Sequence, residues 1–213
     1  MNELAIQEFE PQDAEAVGKR ERNKLRNRQL IMEAARRCFI ENGYDAVTVR
    51  DIIGETDLAS GTYYNYFPDK AAVFKALVED SMVAMNQRLH EVRSSARSME
   101  EFLYGAYLTA FQTVADDPLF FAFILRNEPV VRDFYEDTVF GISINTLKKD
   151  IKDAVVRGLL PMTDIEFLAA AFYGVGYEMS RSLAAREIKD PERAARMATD
   201  LLMRGVQSVG QRA

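Results

Sequence analysis

IMEAARRCFIENGYDAVTVRDIIGETDLASGTYYNYFPDK, residues 31–70, holds three helices in quick succession and decides the fold. Ile31, Ala34, Ala35, Cys38 and Phe39 recur at the spacing of one helical face, and Asn42-Gly43 supplies a stop. Thr48 then opens a second helix: Asp51, three residues on, completes a capping box, and Val47 can staple to Ile52. The polar run Glu55-Thr56-Asp57 ends this helix early, and Ala59-Ser60-Gly61 starts a third, expected from Ser60 to Phe67 and closed by Pro68. Two short helices joined by a polar turn and preceded by a longer one make a helix-turn-helix, in which the second short helix enters the DNA major groove.

Outward from this block, Asp69 is placed to cap a long helix with the stripe Val73, Phe74, Leu77, Val78, Met82, Met85 and Leu89. Further helices are expected at 99–115, 118–125, 129–157, 164–186 and 191–210. The breaks fall at Asp116-Asp117-Pro118, Glu128-Pro129, Gly158 to Pro161 and Asp190-Pro191. With few prolines and glycines and no alternating pattern, the chain reads as all-α, about nine helices. Three parts are expected: a disordered acidic tail over 1–20, a three-helix DNA-binding domain over 21–70, and a larger ligand-binding and dimerisation domain over 71–213.

The formal net charge of −6 argues against unspecific nucleic-acid binding, but its distribution is uneven. Residues 1–18 carry five acids and no base, whereas Lys19, Arg20, Arg22, Lys24, Arg26 and Arg28 follow against Glu21 alone. Such a basic arm suits an electropositive face, or simply a solvated lead-in to a helix. A single cysteine excludes an internal disulfide. No basic stretch followed by an apolar run opens the chain, and the apolar stretch from Phe167 to Tyr177 is too short to cross a bilayer. The expected compartment is the cytoplasm, without membrane contact.

The block IMEAARRCFIENGYDAVTVRDII, continued by LASGTYYNYFPDKAAVF, resembles the N-terminal domain of TetR-family repressors. Phe39, Gly43 and Tyr44 match the end of that family's first helix. Thr48 to Ile52 match its capped second helix, and Gly61, Thr62, Tyr64, Tyr66, Phe67 and Lys70 match its third. The resemblance implies base-edge contacts by Arg50, Ser60, Gly61 and Thr62, and phosphate contacts by Thr48, Tyr64, Tyr66 and Lys70; Phe39, Tyr44 and Phe67 match core positions. Asp57 stands where the family has a turn glycine, and Ala59 where it has a capping serine. The missing cap costs about 1 kcal/mol unless Ser60 or Asp57 replaces it. The helix also offers Tyr63 and Asn65 to the DNA.

In the resembling family the C-terminal half binds a small effector and holds a dimer. Here Phe167 to Met179 is apolar nearly all round, and Ala194, Ala198, Leu201, Leu202, Gly205, Val206 and Val209 form a stripe. Phe172, Gly176, Leu201, Leu202 and Gly205 are the expected homodimer interface, the alternative being burial inside one protomer. Candidates for an effector pocket are Met82, Met85, Phe102, Tyr107, Phe111, Phe121, Phe134, Tyr173 and Tyr177, which favour a small apolar ligand. Arg126, Asn127 and Glu128 read as a solvated loop rather than a polar anchor.

An enzyme is the competing class. The only histidine, His90, has no cysteine or second histidine to build a metal site, and Cys38 lies on a buried stripe. No phosphate-binding glycine loop or nucleophile elbow occurs. The expectation is therefore a homodimeric regulator of a palindromic double-stranded operator, acting as a repressor released by an apolar effector, with no cofactor, metal or catalysis. An activator, or a partner-controlled or architectural regulator of the same fold, remains as the alternative.

Overall fold

The computed structural model describes residues 11–130 and 141–210, which hold nine helices and no strand. They are α1 Pro11–Asn42, α2 Val49–Gly54, α3 Ser60–Tyr63, α4 Lys70–Ser95, α5 Met99–Asp116, α6 Pro118–Arg126, α7 Gly141–Val156, α8 Ile165–Ala184 and α9 Pro191–Gly210. The chain divides into two compact units, Met1–Phe74 and Lys75–Ala213, so the break falls inside α4, a few residues beyond the expected boundary.

In the first unit α1 begins at Pro11, where a disordered tail is expected as far as residue 20. The sequence contains the reason. Proline suits the first helical position, acids at 13 and 15 suit a helix N-terminus, and alanines at 14 and 16 are strong helix formers. The inner face of α1 buries Ile31, Ala34, Ala35, Cys38 and Phe39. Gly43 ends the helix at φ 81°, a left-handed conformation natural to glycine, with its amide on the Phe39 carbonyl at 2.9 Å. Phe39, Tyr44 and Phe74 then pack ring to ring at centroid distances of 4.8–5.9 Å.

The second unit follows the helix-breaking chemistry closely. Ser98, Asp117, Asp164 and Asp190 each accept a backbone amide at the start of α5, α6, α8 and α9. Gly158, at φ 74°, turns the chain after α7. Of the helix expected over 129–157, residues 129 and 130 are helical and α7 covers 141–156; Phe134, Tyr135 and Phe140 lie outside the described residues. One core joins Phe102, Leu103, Tyr107 and Phe111 of α5 to Ile151 of α7, Phe172 of α8 and Ala195 and Ala198 of α9. Helices α4 and α5 approach closely at Gly105, where a Cβ would run into Val92. No single helix among the described residues is long and apolar enough to cross a membrane. Helices α5 and α6 together reach that length and composition, but they meet at 94° and bury Phe102, Leu103, Tyr107, Phe111, Phe120, Phe123 and Ile124.

Candidate nucleic-acid interface and apolar cavity

Helix α2 starts as its sequence requires. Thr48 Oγ1 accepts the Asp51 amide at 3.3 Å, while Asp51 Oδ2 accepts both the Thr48 amide and hydroxyl at 2.7 Å. Those hydrogen bonds hold the Asp51 carboxyl below the usual carboxylate range. Val47, Ile52 and Ile53 are buried, leaving Arg50 and Thr48 exposed on the outer face.

The turn into α3 survives without its glycine because of Thr56, a residue that pattern matching passes over. Its hydroxyl donates to the Ile53 carbonyl at 2.9 Å and accepts the Leu58 amide at 3.2 Å, so one side chain closes the turn. Ala59 caps α3 with no side-chain hydrogen bond, and neither Ser60 nor Asp57 replaces it. The α-helix is accordingly short, Ser60–Tyr63 rather than Ser60 to Phe67, and continues as turns through Tyr64, Asn65 and Tyr66.

The aromatic run divides by face. Ser60, Gly61, Tyr64 and Asn65 are exposed, and Thr62 and Tyr66 are half-buried. Tyr63 is fully buried; its hydroxyl donates to the Asp69 carbonyl at 2.9 Å, and burial, reinforced by Asp69, pushes its pKa far up. Tyr63 therefore supports α3 from beneath and is not available to DNA. Lys70 is drawn inward too: Nζ donates to the carbonyls of Tyr44 and Asp45 at 2.8 and 3.3 Å, and lies 4.5 Å from the centroid of the Tyr44 ring. An ammonium has three donors, so one remains for a phosphate. The basic stretch joins the same face: Arg20, Lys24 and Asn27 of α1 line one groove with Asn65 and Tyr66, and the Arg28 guanidinium lies 5.6 Å from the Phe67 ring centroid.

The second unit holds a partly open cavity of about 90 Å³. Its walls include Met85, Phe102, Tyr107, Phe121, Tyr173 and Tyr177 from the expected set. Met82 and Phe111 are buried but do not line it: Phe111 stacks on Tyr107 at 5.7 Å within the core. Phe134 lies outside the described residues. The Tyr107 hydroxyl donates to the Phe172 carbonyl at 2.9 Å, and that of Tyr177 to Glu128 at 3.2 Å, so Glu128 is tied to a cavity wall. Burial raises both tyrosines' pKa values, with Glu128 adding to the effect at Tyr177. The sequence gives no signal for one further lining residue, Arg93 of α4, which is buried beside Asp150 of α7.

Two expected interface residues turn inward. Phe172 is buried in its own protomer, and a Cβ on Gly176 would lie 3.2 Å from the Tyr107 ring, so both belong to the core and cavity wall. A helix apolar on every side gives no phase from sequence alone, which explains the misplacement. Leu202 is half-buried against the core, Leu201 is 64% exposed, and Gly205 is placed on α9 by its backbone alone. The outward apolar residues of α8 are Phe167, Ala170 and Ala171, with Gly174 facing open space. Phe167 and Met197 are large apolar side chains left exposed on α8 and α9.

Elsewhere the chemistry is quiet. Cys38 is buried among apolar neighbours, and that burial, with Glu55 nearby, raises its pKa away from nucleophilic use. No group of three or more metal-ligating side chains occurs among the described residues.

Residues 31–77 match the family described as "Bacterial regulatory proteins, tetR family". The HTH-type transcriptional repressor AcnR of Corynebacterium efficiens is 37% identical over 67 residues, 32% of this chain and 36% of that one. The chain thus spans about a third of the length of the curated relatives it matches first. Among solved structures, the fatty acid degradation regulator FadR from Bacillus halodurans superposes with a TM-score of 0.71 at 21% identity, covering 82% of this chain and 93% of that one. FadR from Bacillus subtilis in complex with stearoyl-CoA gives 0.71 at 20% identity, covering 84% and 98%. These two likenesses establish the fold.

Proposed function

We propose that this chain, whose residues 31–77 match the tetR family, is a homodimeric transcriptional repressor that a small apolar effector releases from a palindromic operator. The observation that carries the DNA-binding half is the division of α3 into two faces. Buried Tyr63 fixes the short helix from within, while Ser60, Gly61, Tyr64 and Asn65, with Arg50 of α2, are presented to solvent. Thr48, Tyr66 and the free donor of Lys70 flank them at positions suited to phosphates, which position the protein while base edges specify the sequence.

Dimerisation is supported by Phe167, Ala170, Ala171 and Gly174 of α8 and by Met197 and Leu201 of α9, apolar or small groups left at the protomer surface. A twofold dimer sets two copies of α3 about 34–36 Å apart or a multiple, hence a palindromic site.

The cavity supports an effector of modest bulk. A cavity of about 150 Å³ holds benzene; at about 90 Å³ this one is smaller, and a larger ligand pushes on the half-buried walls Met85, Phe121, Tyr173 and Tyr177. Such displacement supplies what release requires, a ligand that binds one state better than the other. The FadR neighbour bound to stearoyl-CoA is consistent with an effector bearing an apolar chain. Helix α4 is continuous from Lys70 to Ser95 and carries Met85 and Leu89 of the cavity wall, so a ligand that moves it there can alter the spacing of the reading helices.

The test is a gel-shift titration of the operator complex against fatty acids, aromatic acids and hydrophobic drugs. The expected result is release by an apolar compound, whose effect Ala110→Trp, filling the cavity, abolishes without weakening DNA binding. Release by a strongly polar metabolite alone, or by no compound, contradicts the effector reading.

A further inference from the structure

One charge interrupts the apolar cavity. Arg93 projects from α4, lines the cavity and is only 8% exposed. Its Nη1 donates to Asp150 Oδ2 of α7 at 3.3 Å, a single contact rather than the paired fork that a guanidinium and a carboxylate form when free to do so. Its Nε is buried with no acceptor among the described residues. Asp150 supplies no second bond in this arrangement; its other oxygen, Oδ1, meets His90 Nδ1 at 2.6 Å. A buried donor left unpaired is costly, and a fixed cation that keeps its charge in an apolar wall is a site for an anion.

We propose that the cavity takes an apolar carboxylate, whose head accepts from Arg93 Nε while its hydrocarbon body lies among Phe102, Tyr107, Phe121 and Tyr173. The proposal deepens the effector reading above and rests on it. It also names what the ligand changes. Arg93 and His90 of α4 meet on Asp150 of α7, so those side chains tie the two helices together. A second carboxylate on Arg93 takes Nε and shares the guanidinium charge with Asp150, which keeps its contact on Nη1. The ligand thereby joins the side chains that tie α4 to α7.

Matched probes test this on the full chain: octanoate against octanol, and phenylacetate against phenylethanol, by calorimetric titration. Each acid is expected to bind roughly ten- to a hundredfold tighter than its alcohol, the range that a charge-assisted hydrogen bond confers. Because Arg93→Met alone strands the Asp150 charge, the comparison variant is Arg93→Met with Asp150→Asn. In it the acid preference is expected to fall to near parity while the alcohol affinity holds. Acids and alcohols binding the unmodified protein equally overturn the carboxylate site but leave the apolar cavity standing. An acid preference that persists in the double variant overturns Arg93 as its source. Binding of none of the four probes, or binding that Ala110→Trp leaves unchanged, overturns the cavity reading together with the proposal.

Discussion

Tyr63 and Tyr64 are adjacent, and nothing in the letters separates them, yet one is a buried support and the other faces solvent. A four-residue helix is too short for periodicity to reveal its inner face, so only packing assigns them. Capping is different, because it depends on residues a few positions apart, and the Thr48–Asp51 box was legible in full. Three outcomes follow at this scale. Arg50→Ala is expected to lose ~1–3 kcal/mol of discrimination at one base position per half-site, measured as a flattened preference in a panel of operator variants. Lys70→Ala is expected to weaken all sequences alike and to lower the salt slope by about one for each phosphate the lysine neutralises. The Asp51 carboxyl, held down by Thr48, stabilises the folded domain at pH values above its ordinary range. That contribution disappears as pH falls through the lowered folded value. An acid titration followed by circular dichroism should show this step, and Asp51→Asn should remove it.

At the scale of elements, helix existence and ends were readable because breakers and caps are local: Asp117-Pro118, Asp164 and Asp190-Pro191 begin helices where expected. Facing was readable on α1, where Ile31, Ala34, Ala35, Cys38 and Phe39 are buried as expected, but not on α8, which is apolar nearly all round. In α8 the two glycines look equivalent, but Gly174 is open while Gly176 meets Tyr107. This separates two variants. Gly176→Ala is expected to crowd the Tyr107 ring and reduce ligand affinity severalfold while the dimer persists. Phe167→Glu with Leu201→Arg is expected to yield monomers, because charges replace exposed apolar groups on α8 and α9. Light scattering decides between them: a monomer from Gly176→Ala, or a dimer from the double variant, places the interface on other residues.

For the whole molecule, the three helices of the first unit were legible in order and type, since the motif is short, local and dense in caps and turns, though the start of α1 and the end of α3 were not. The second unit was legible as helices and as a surplus of aromatics, but its charged centre was not. Arg93, Asp150 and His90 lie on α4 and α7, 57 and 60 residues apart in sequence, and each alone resembles an ordinary surface charge. Long-range pairs of this kind leave no periodic trace. The claim that orders the whole is that two copies of α3, fixed by buried Tyr63, read one twofold site. Selection of bound duplexes from a random pool, followed by hydroxyl-radical footprinting of the enriched sequence, tests it directly. The expected result is two protected half-sites related by a dyad, with centres one helical turn or a whole multiple apart; protection of a single asymmetric half-site at saturating protein, or no enriched sequence, would contradict it.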